Sequence, residues 1–325
     1  MLPQESFDAV YNEKHRAALS KSLHFVGSIP DALAGASDPR ELADVEALFT
    51  GWDSPRLDAA RLDHFPTLRV VFHAGGSVKF LLSEAFWARG IRLTCTARAN
   101  AVPVAEFTLA QIILSLKHAW QSARDSRRSR RFVRNDAVVP SCYGSVVGII
   151  SVGLIGRMLV ERLRTLEVEI ICYDPYLSAE DADGLGIERC SLEALFTRAD
   201  VVTCHAPLLP ETTHLLREHH FTRMKPGATF INTARGAIVH ELEMIAVLER
   251  RPDLFATLDV TYPEPPPENS RLYHLPNVFL TPHIAGSIGP ECHRMGEMIV
   301  SEVRRYCAGK PLVGEVLREQ FSLLA

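Results

Sequence analysis

Short β-branched runs alternate with stretches of helical apolar spacing along most of this chain. In the first part, Leu23–Val26, Val45–Phe49, Leu68–Phe72 and Arg92–Cys95 read as strands. From Val104 to Trp120 apolar residues recur at helical spacing, which predicts a long, mostly buried helix. Arg124 to Arg134 interrupts the pattern with six arginines. A charge run of this kind marks a solvated or intersubunit arm more often than an anion site. The alternation then resumes, with strands expected at Val146–Ser151, Glu169–Tyr173, Val201–Cys204, Thr229–Asn232, Ala256–Val260 and Val278–Thr281. A final helix is expected over Pro290–Cys307. Such regular alternation argues for an α/β protein with parallel, doubly wound sheets. Two domains are expected, one inserted in the other: 1–118 with a C-terminal return over 289–325, and 119–288.

Composition narrows the class without naming a function. A 47% hydrophobic and 23% charged chain of 325 residues is ordinary for a globular protein with two cores. A formal net charge of −4 gives no reason to expect nucleic acid or an anionic membrane as partner. Seven cysteines, odd in number and mostly within apolar runs, read as reduced thiols in the cytoplasm rather than a disulfide framework. No cysteine pair has zinc-like spacing, so no metal is expected. The N-terminus lacks a signal-like apolar stretch, and the most apolar segment, Phe107 to Leu116, is too short to span a bilayer.

The run Val146-Val147-Gly148-Ile149-Ile150-Ser151-Val152-Gly153-Leu154-Ile155-Gly156 reads as a buried strand turning into a helix. Dinucleotide folds place G-x-G-x-x-G here, for a tight turn, for pyrophosphate approach and for close helix–strand packing. Ser151 takes the first glycine's place, while Gly153 and Gly156 keep the other two. The pyrophosphate would lie on backbone N–H groups near Leu154 and Ile155. Asp174, about twenty residues on at the end of the next strand, suits ribose hydroxyls and repels a 2′-phosphate, which favours NAD.

Three polar residues fall just past strand ends: Arg235 in Asn232-Thr233-Ala234-Arg235-Gly236, Glu264 in a proline-dense turn, and His283 in Thr281-Pro282-His283-Ile284. Each alone has a plain structural reading, as a turn residue, a solvated carboxylate or a core histidine. Together, at the edge where open α/β sheets bind ligands, they suit an anionic substrate that exchanges a proton. A guanidinium can fork onto a carboxylate and its neighbouring carbonyl. Histidine suits proton exchange near neutral pH, and a carboxylate beside it stabilises an imidazolium.

With these residues assembled, the chain resembles the D-isomer-specific 2-hydroxyacid dehydrogenase family. The resemblance runs from about Leu68 to Leu312 and includes Asn100-Ala101-Val102-Pro103-Val104-Ala105-Glu106, Ala206-Pro207-Leu208-Leu209-Pro210-Glu211-Thr212-Thr213 and Met224-Lys225-Pro226-Gly227. It implies a Rossmann cofactor domain inserted in a flavodoxin-like substrate domain, a homodimer, and an active site in the interdomain cleft. It implies hydride exchange between NAD and a D-2-hydroxy or 2-oxo acid. Arg235 would hold the substrate, His283 would act as acid/base, and Glu264 would be the partner of His283. Asp259 would hold the nicotinamide carboxamide. Thr96, Ala206, Thr233, Ala234 and Gly286 would line the cofactor, and Gly75, Gly76 and Ser77 would offer backbone N–H groups to the substrate carboxylate.

Four positions depart from the family pattern. Ser151 would be strained if its turn needs φ > 0. Lys79 stands where a helix-starting Asp is usual, His73 replaces a frequent basic or polar residue, and His240 replaces a common Asp. His205 reads as structural and His240 as a helix-start residue. Formate dehydrogenases carry an amide at the Glu264 position, so formate is not the expected substrate. A phosphite-oxidising enzyme and a non-catalytic NAD(H)-dependent corepressor on the same fold both keep the three-residue set, and both stand as alternatives. The substrate's side chain is not legible, and a regulatory domain like that of some phosphoglycerate relatives is not expected.

Overall fold

The computed structural model describes residues 4–27, 42–132 and 139–323. The chain divides into two compact units, Met1–Ala101 with Ser287–Ala325, and Val102–Gly286. The division falls at Ala101/Val102 instead of after residue 118. Its cause is the helix Ala97–Leu116, which sends Ile112 and Leu116 into the core formed by Val147, Ile149 and Ile231. The return to the first unit likewise comes at Ser287, two residues before the expected 289.

That helix is longer than its most apolar stretch suggested. By length and composition alone its 20 residues could cross a bilayer, but 56% of the apolar window is buried within the protein, as in a core helix. The expected single helix to Trp120 is broken at His118, whose backbone is left-handed. A second helix, Ala119–Ser129, carries Arg124, Arg127 and Arg128 and has no buried residue, which matches a solvated face. The rest of the arginine run beyond residue 132 includes Arg134, which lies outside the described residues.

In the first unit, strands β1 (Ala47–Gly51), β2 (Val70–Ala74) and β3 (Arg92–Cys95) form a parallel sheet in the order β1-β2-β3. Successive side chains of β2 serve opposite faces, as a strand's two-residue period requires. Val71 joins Leu57, Leu62 and Phe86 on one side. Val70 and Phe72 meet Met295, Ile299 and Val303 of the helix Cys292–Cys307 on the other. Leu23–Val26 is not a strand. Phe25 and Val26 are 42% and 41% exposed, so this run buries too little apolar surface to be held in a ladder.

Among its described residues the second unit holds seven parallel strands: β4 (Tyr143–Ile150), β5 (Glu167–Tyr173), β6 (Glu188–Arg189), β7 (Val201–Cys204), β8 (Thr229–Asn232), β9 (Phe255–Leu258) and β10 (Val278–Leu280). Their order, β10-β9-β8-β7-β4-β5-β6, is doubly wound with its switch point between β4 and β7. Both faces are covered, so the central strands are continuous apolar runs. Ile150, Val202 and Cys204 face one core, and Val147, Ile149 and Val201 face the other. Because every strand runs the same way, all seven carboxyl ends lie along one edge.

Candidate active site

Along that edge the strand order lays out nearly all the predicted polar residues of the second unit. Reading across the sheet, His283 follows β10, Asp259 and Glu264 follow β9, and Thr233, Ala234 and Arg235 follow β8. His205 and Ala206 follow β7, Ser151 and Gly153 follow β4, and Asp174 follows β5.

The turn after β8 is shaped by Asn232, whose Oδ1 accepts the Ala234 N–H at 3.0 Å while its Nδ2 donates to Arg235 O at 3.1 Å. An asparagine closing on its own backbone two residues later is a common turn device, and it is the readable signal for a residue sequence reasoning overlooked. The half-buried Arg235 donates from Nη1 to Ala234 O at 2.7 Å. Burial pulls its pKa down and the charge of Glu264 opposes this. An arginine so placed stays cationic. Gly236 lies against the next loop, since a Cβ there would sit 2.0 Å from the carbonyl carbon of Thr261.

His283 Nδ1 is 2.5 Å from Glu264 Oε1. The two side chains are 46% and 41% exposed, and an ion pair so open to water adds little to stability. Its value lies in orientation: with Nδ1–H turned to the carboxylate, Nε2 is the nitrogen left for exchange. His283 has φ +54, a left-handed conformation that costs most residues energy and clusters at functional sites. Asp259 holds it there. Its buried carboxylate accepts Thr281 Oγ1 at 2.6 Å, Ile284 N at 2.8 Å and Ala285 N at 2.9 Å. Its carbonyl also accepts the His283 N–H at 2.9 Å. Asp259 is therefore the clamp of the histidine loop, a role its sequence position did not reveal. With three donors in place, about one acceptor site remains for a carboxamide.

The turn after β4 also departs from common backbone geometry. Ser151 has φ +70, the conformation for which glycine is the natural choice. Gly156 must be glycine, because a Cβ would lie 2.5 Å from Ser151 O. At Gly153 a Cβ would meet nothing within 4 Å, so open space lies where a pyrophosphate would approach. The following helix, Leu154–Leu163, has no side-chain cap at its start. Leu154 is exposed and Ile155 half-buried. Asp174 accepts Val152 N at 2.7 Å, Tyr176 N at 2.8 Å and Ser151 Oγ at 3.5 Å, fixing the turn while leaving about one acceptor site for a hydroxyl donor. These residues fit a dinucleotide.

Thr233, Ala234 and Ala206 are buried at the edge, and Thr233 Oγ1 lies 3.2 Å from Thr108 Oγ1. Gly286 closes the second unit. His205 is buried, bonded through Nε2 to Thr203 Oγ1 at 3.0 Å, and burial pulls it down to about 4, so it is a neutral interior histidine. His240 starts the helix Glu241–Arg250 as expected.

In the first unit, Gly75 is buried while Gly76 and Ser77 are half-buried after β2. His73 lies under them, its Nδ1 2.9 Å from Thr50 Oγ1, and burial pulls it down to about 4. A Cβ on Gly75 would lie 2.5 Å from His73 Nε2, so glycine is required over this ring. Thr96 is fully buried. No helix starts at Lys79; a turn follows it and the next helix begins at Glu84.

Away from the edge, Glu193, His219 and His220 bring ligand atoms within 4.8 Å of one another. His220 Nδ1, however, accepts the Arg217 N–H at 3.1 Å. Its Nε2 must then carry the proton, which opposes metal ligation. His220 serves instead to cap the start of the helix Glu218–Thr222.

Residues 109–285 match the family model described as D-isomer specific 2-hydroxyacid dehydrogenase, NAD binding domain. The chain belongs to this family. Among dehydrogenases in it, human D-3-phosphoglycerate dehydrogenase is 32% identical over 276 residues, covering 85% of this chain and 51% of that protein. The Bacillus subtilis enzyme of the same name is 29% identical over 292 residues, 90% of this chain and 55% of its own length. The chain thus spans about half the length of the curated relatives it matches. A crystal structure of the holo form of Rhodotorula graminis D-mandelate dehydrogenase is 28% identical with a TM-score of 0.73, each chain covered to 86%. A Thermus thermophilus protein shows the same identity and TM-score over 98% of each chain. The Rossmann order of the second sheet and its open glycine turn are accordingly those of a 2-hydroxyacid dehydrogenase NAD-binding domain, and NAD is the cofactor this domain holds.

Proposed function

We propose that this protein is an NAD-dependent oxidoreductase interconverting a D-2-hydroxy acid and its 2-oxo acid. The observation that carries the reading is the His283–Glu264 pair at 2.5 Å, on the same sheet edge as Arg235 and the nucleotide turn. Bound NAD supplies the hydride chemistry. The chain's own residues handle charge and protons. Arg235 binds the substrate's carboxylate and carbonyl oxygen, since its guanidinium is fixed by Ala234 O and keeps further N–H donors in a planar fork. In reduction, His283 Nε2–H donates to the carbonyl oxygen as negative charge develops there. In oxidation, the neutral ring takes the alcohol proton. Help of this kind is typically worth on the order of 10²–10⁴ in rate. Glu264 orients the ring and offsets its positive charge.

The roles assigned to Asp174, to the N–H groups near Leu154 and Ile155, and to Gly75, Gly76, Ser77 and Thr96 belong to the same proposal, as do a homodimeric state and a cytoplasmic location. An NADH-oxidation screen with glyoxylate, hydroxypyruvate, pyruvate, phenylpyruvate and 2-oxoisocaproate tests the reading, with turnover of at least one expected. His283→Asn should abolish that turnover while NADH still binds. Tight NADH binding with no oxidation across the panel would favour a non-catalytic, corepressor-like protein instead.

A further inference from the structure

Between Tyr262 and Pro267 the chain reads Tyr-Pro-Glu-Pro-Pro-Pro, so four of these six residues have no backbone N–H. A loop so poor in donors has few ways to be tied to its surroundings. The Tyr262 amide is one, and it donates to Glu241 Oε2 at 3.0 Å. Thr261 Oγ1 donates to Pro263 O at 2.9 Å, and the backbone of Gly236 presses on Thr261 from the other side. Glu264 follows directly, with its carboxylate on His283.

Glu241 is suited to the task by its place in the fold. It is the first residue of the helix Glu241–Arg250, where the positive end of the helix favours a carboxylate. The neighbouring Glu243 is already taken, accepting Arg217 Nη1 at 3.1 Å and Glu218 N at 2.8 Å. Glu241 is half-buried; burial pushes its pKa up and the Tyr262 amide opposes this. Partial burial shields its bond from competing water.

We infer that Glu241 is a positioning residue: by holding the Tyr262 amide it sets where Glu264 stands, and through Glu264 how His283 is oriented. This rests on the proposed function, in which Glu264 and His283 are the working pair. In this reading Glu241 acts only through Glu264, so its effect must vanish when Glu264 is gone.

The test uses the purified full chain, hydroxypyruvate or phenylpyruvate with NADH as probes, and the downfield Nδ1–H proton resonance of His283 as an activity-independent signal. Glu241→Ala should lower kcat about three- to tenfold, the size of a coupled-pair effect, with KM little changed, and should broaden or erase the His283 resonance. Glu241→Asp keeps the charge at the helix start but shortens the reach, and should behave like the alanine variant. Glu241→Gln keeps an acceptor oxygen and should restore both readouts. In a Glu264→Gln background, Glu241→Ala should add no further loss. If Glu241→Ala and Glu241→Asp keep wild-type kcat and resonance while Glu264→Gln loses both, the inference fails and the proposed function stands. If Glu264→Gln itself turns over at the wild-type rate, the acid/base pair has failed instead.

Discussion

The turn after β4 and the turn after β10 share a construction and differ in what it protects. Each puts a non-glycine residue in the left-handed region, Ser151 at φ +70 and His283 at φ +54. Each is tied down by an aspartate from a neighbouring strand end, Asp174 after β5 and Asp259 after β9. At β4 the strained residue contributes backbone geometry and only a long hydroxyl contact of 3.5 Å to Asp174, so a glycine would serve. At β10 the left-handed backbone aims an imidazole, so the side chain cannot be given up. Strain at one turn is removable and at the other is part of the site, and the second clamp is correspondingly stronger. Both carboxylates take two backbone N–H groups and one hydroxyl, but Asp259 is buried with its hydroxyl donor at 2.6 Å, whereas Asp174 is half-buried with its hydroxyl donor at 3.5 Å.

The largest effect should come from the stronger clamp. Asp259→Asn replaces one accepting oxygen by an amide that faces a backbone N–H, and should cost about 3 kcal/mol in urea unfolding together with most of the turnover. Asp174→Asn should cost about 1–2 kcal/mol, because water can reach the half-buried group. Equal losses would break the distinction between the turns.

A second test asks whether the edge between them is dry. His205, after β7, is held neutral by burial and pulled down to about 4, as is His73 in the first unit. An unfolded histidine titrates near 6.5, so between those values the unfolded chain binds more protons. Stability is therefore complete above about pH 6.5 and falls as pH drops towards 4, by about 2 kcal/mol per histidine at pH 5. Urea unfolding across this range should show the slope, and His205→Gln should flatten its share. A slope unchanged in that variant would place the ring in contact with water.

The smallest effect belongs to Ser151→Gly. Relief of the left-handed backbone, about 1–2 kcal/mol, is partly offset by the greater freedom of glycine in the unfolded chain, about 0.5–1 kcal/mol. The net gain should be about 1 kcal/mol or less, with NADH binding two- to fivefold tighter at most by calorimetry. Unchanged affinity would mean that the serine turn already has its bound geometry.

Much of the second unit could be read from the chain. The strands after Val146 are short, fully buried runs, so apolar residues appear in nearly every position and mark them plainly. Ser151 could be flagged because the glycine spacing around it announces a left-handed turn, and the backbone there is left-handed. Arg235, Glu264 and His283 could be picked out because strand ends are legible and polar residues just beyond them are conspicuous. Leu23–Val26 misled because a run of apolar residues does not show whether a neighbouring strand exists to cover it. The domain boundary misled because the helix Ala97–Leu116 carries one continuous pattern into two different cores.

What the sequence determined by itself was therefore local: strand and helix periodicity, the turn that needs a positive φ, and the kind of chemistry each exposed side chain offers. Only the tertiary structure decided that Asp259 holds the histidine loop, that Glu241 reaches the Tyr262 amide and that Gly236 presses on Thr261. Those contacts join residues that lie many positions apart in the chain and meet because parallel strands bring their carboxyl ends to one edge. A pattern of neighbours along the chain carries no record of which loops a sheet will set side by side.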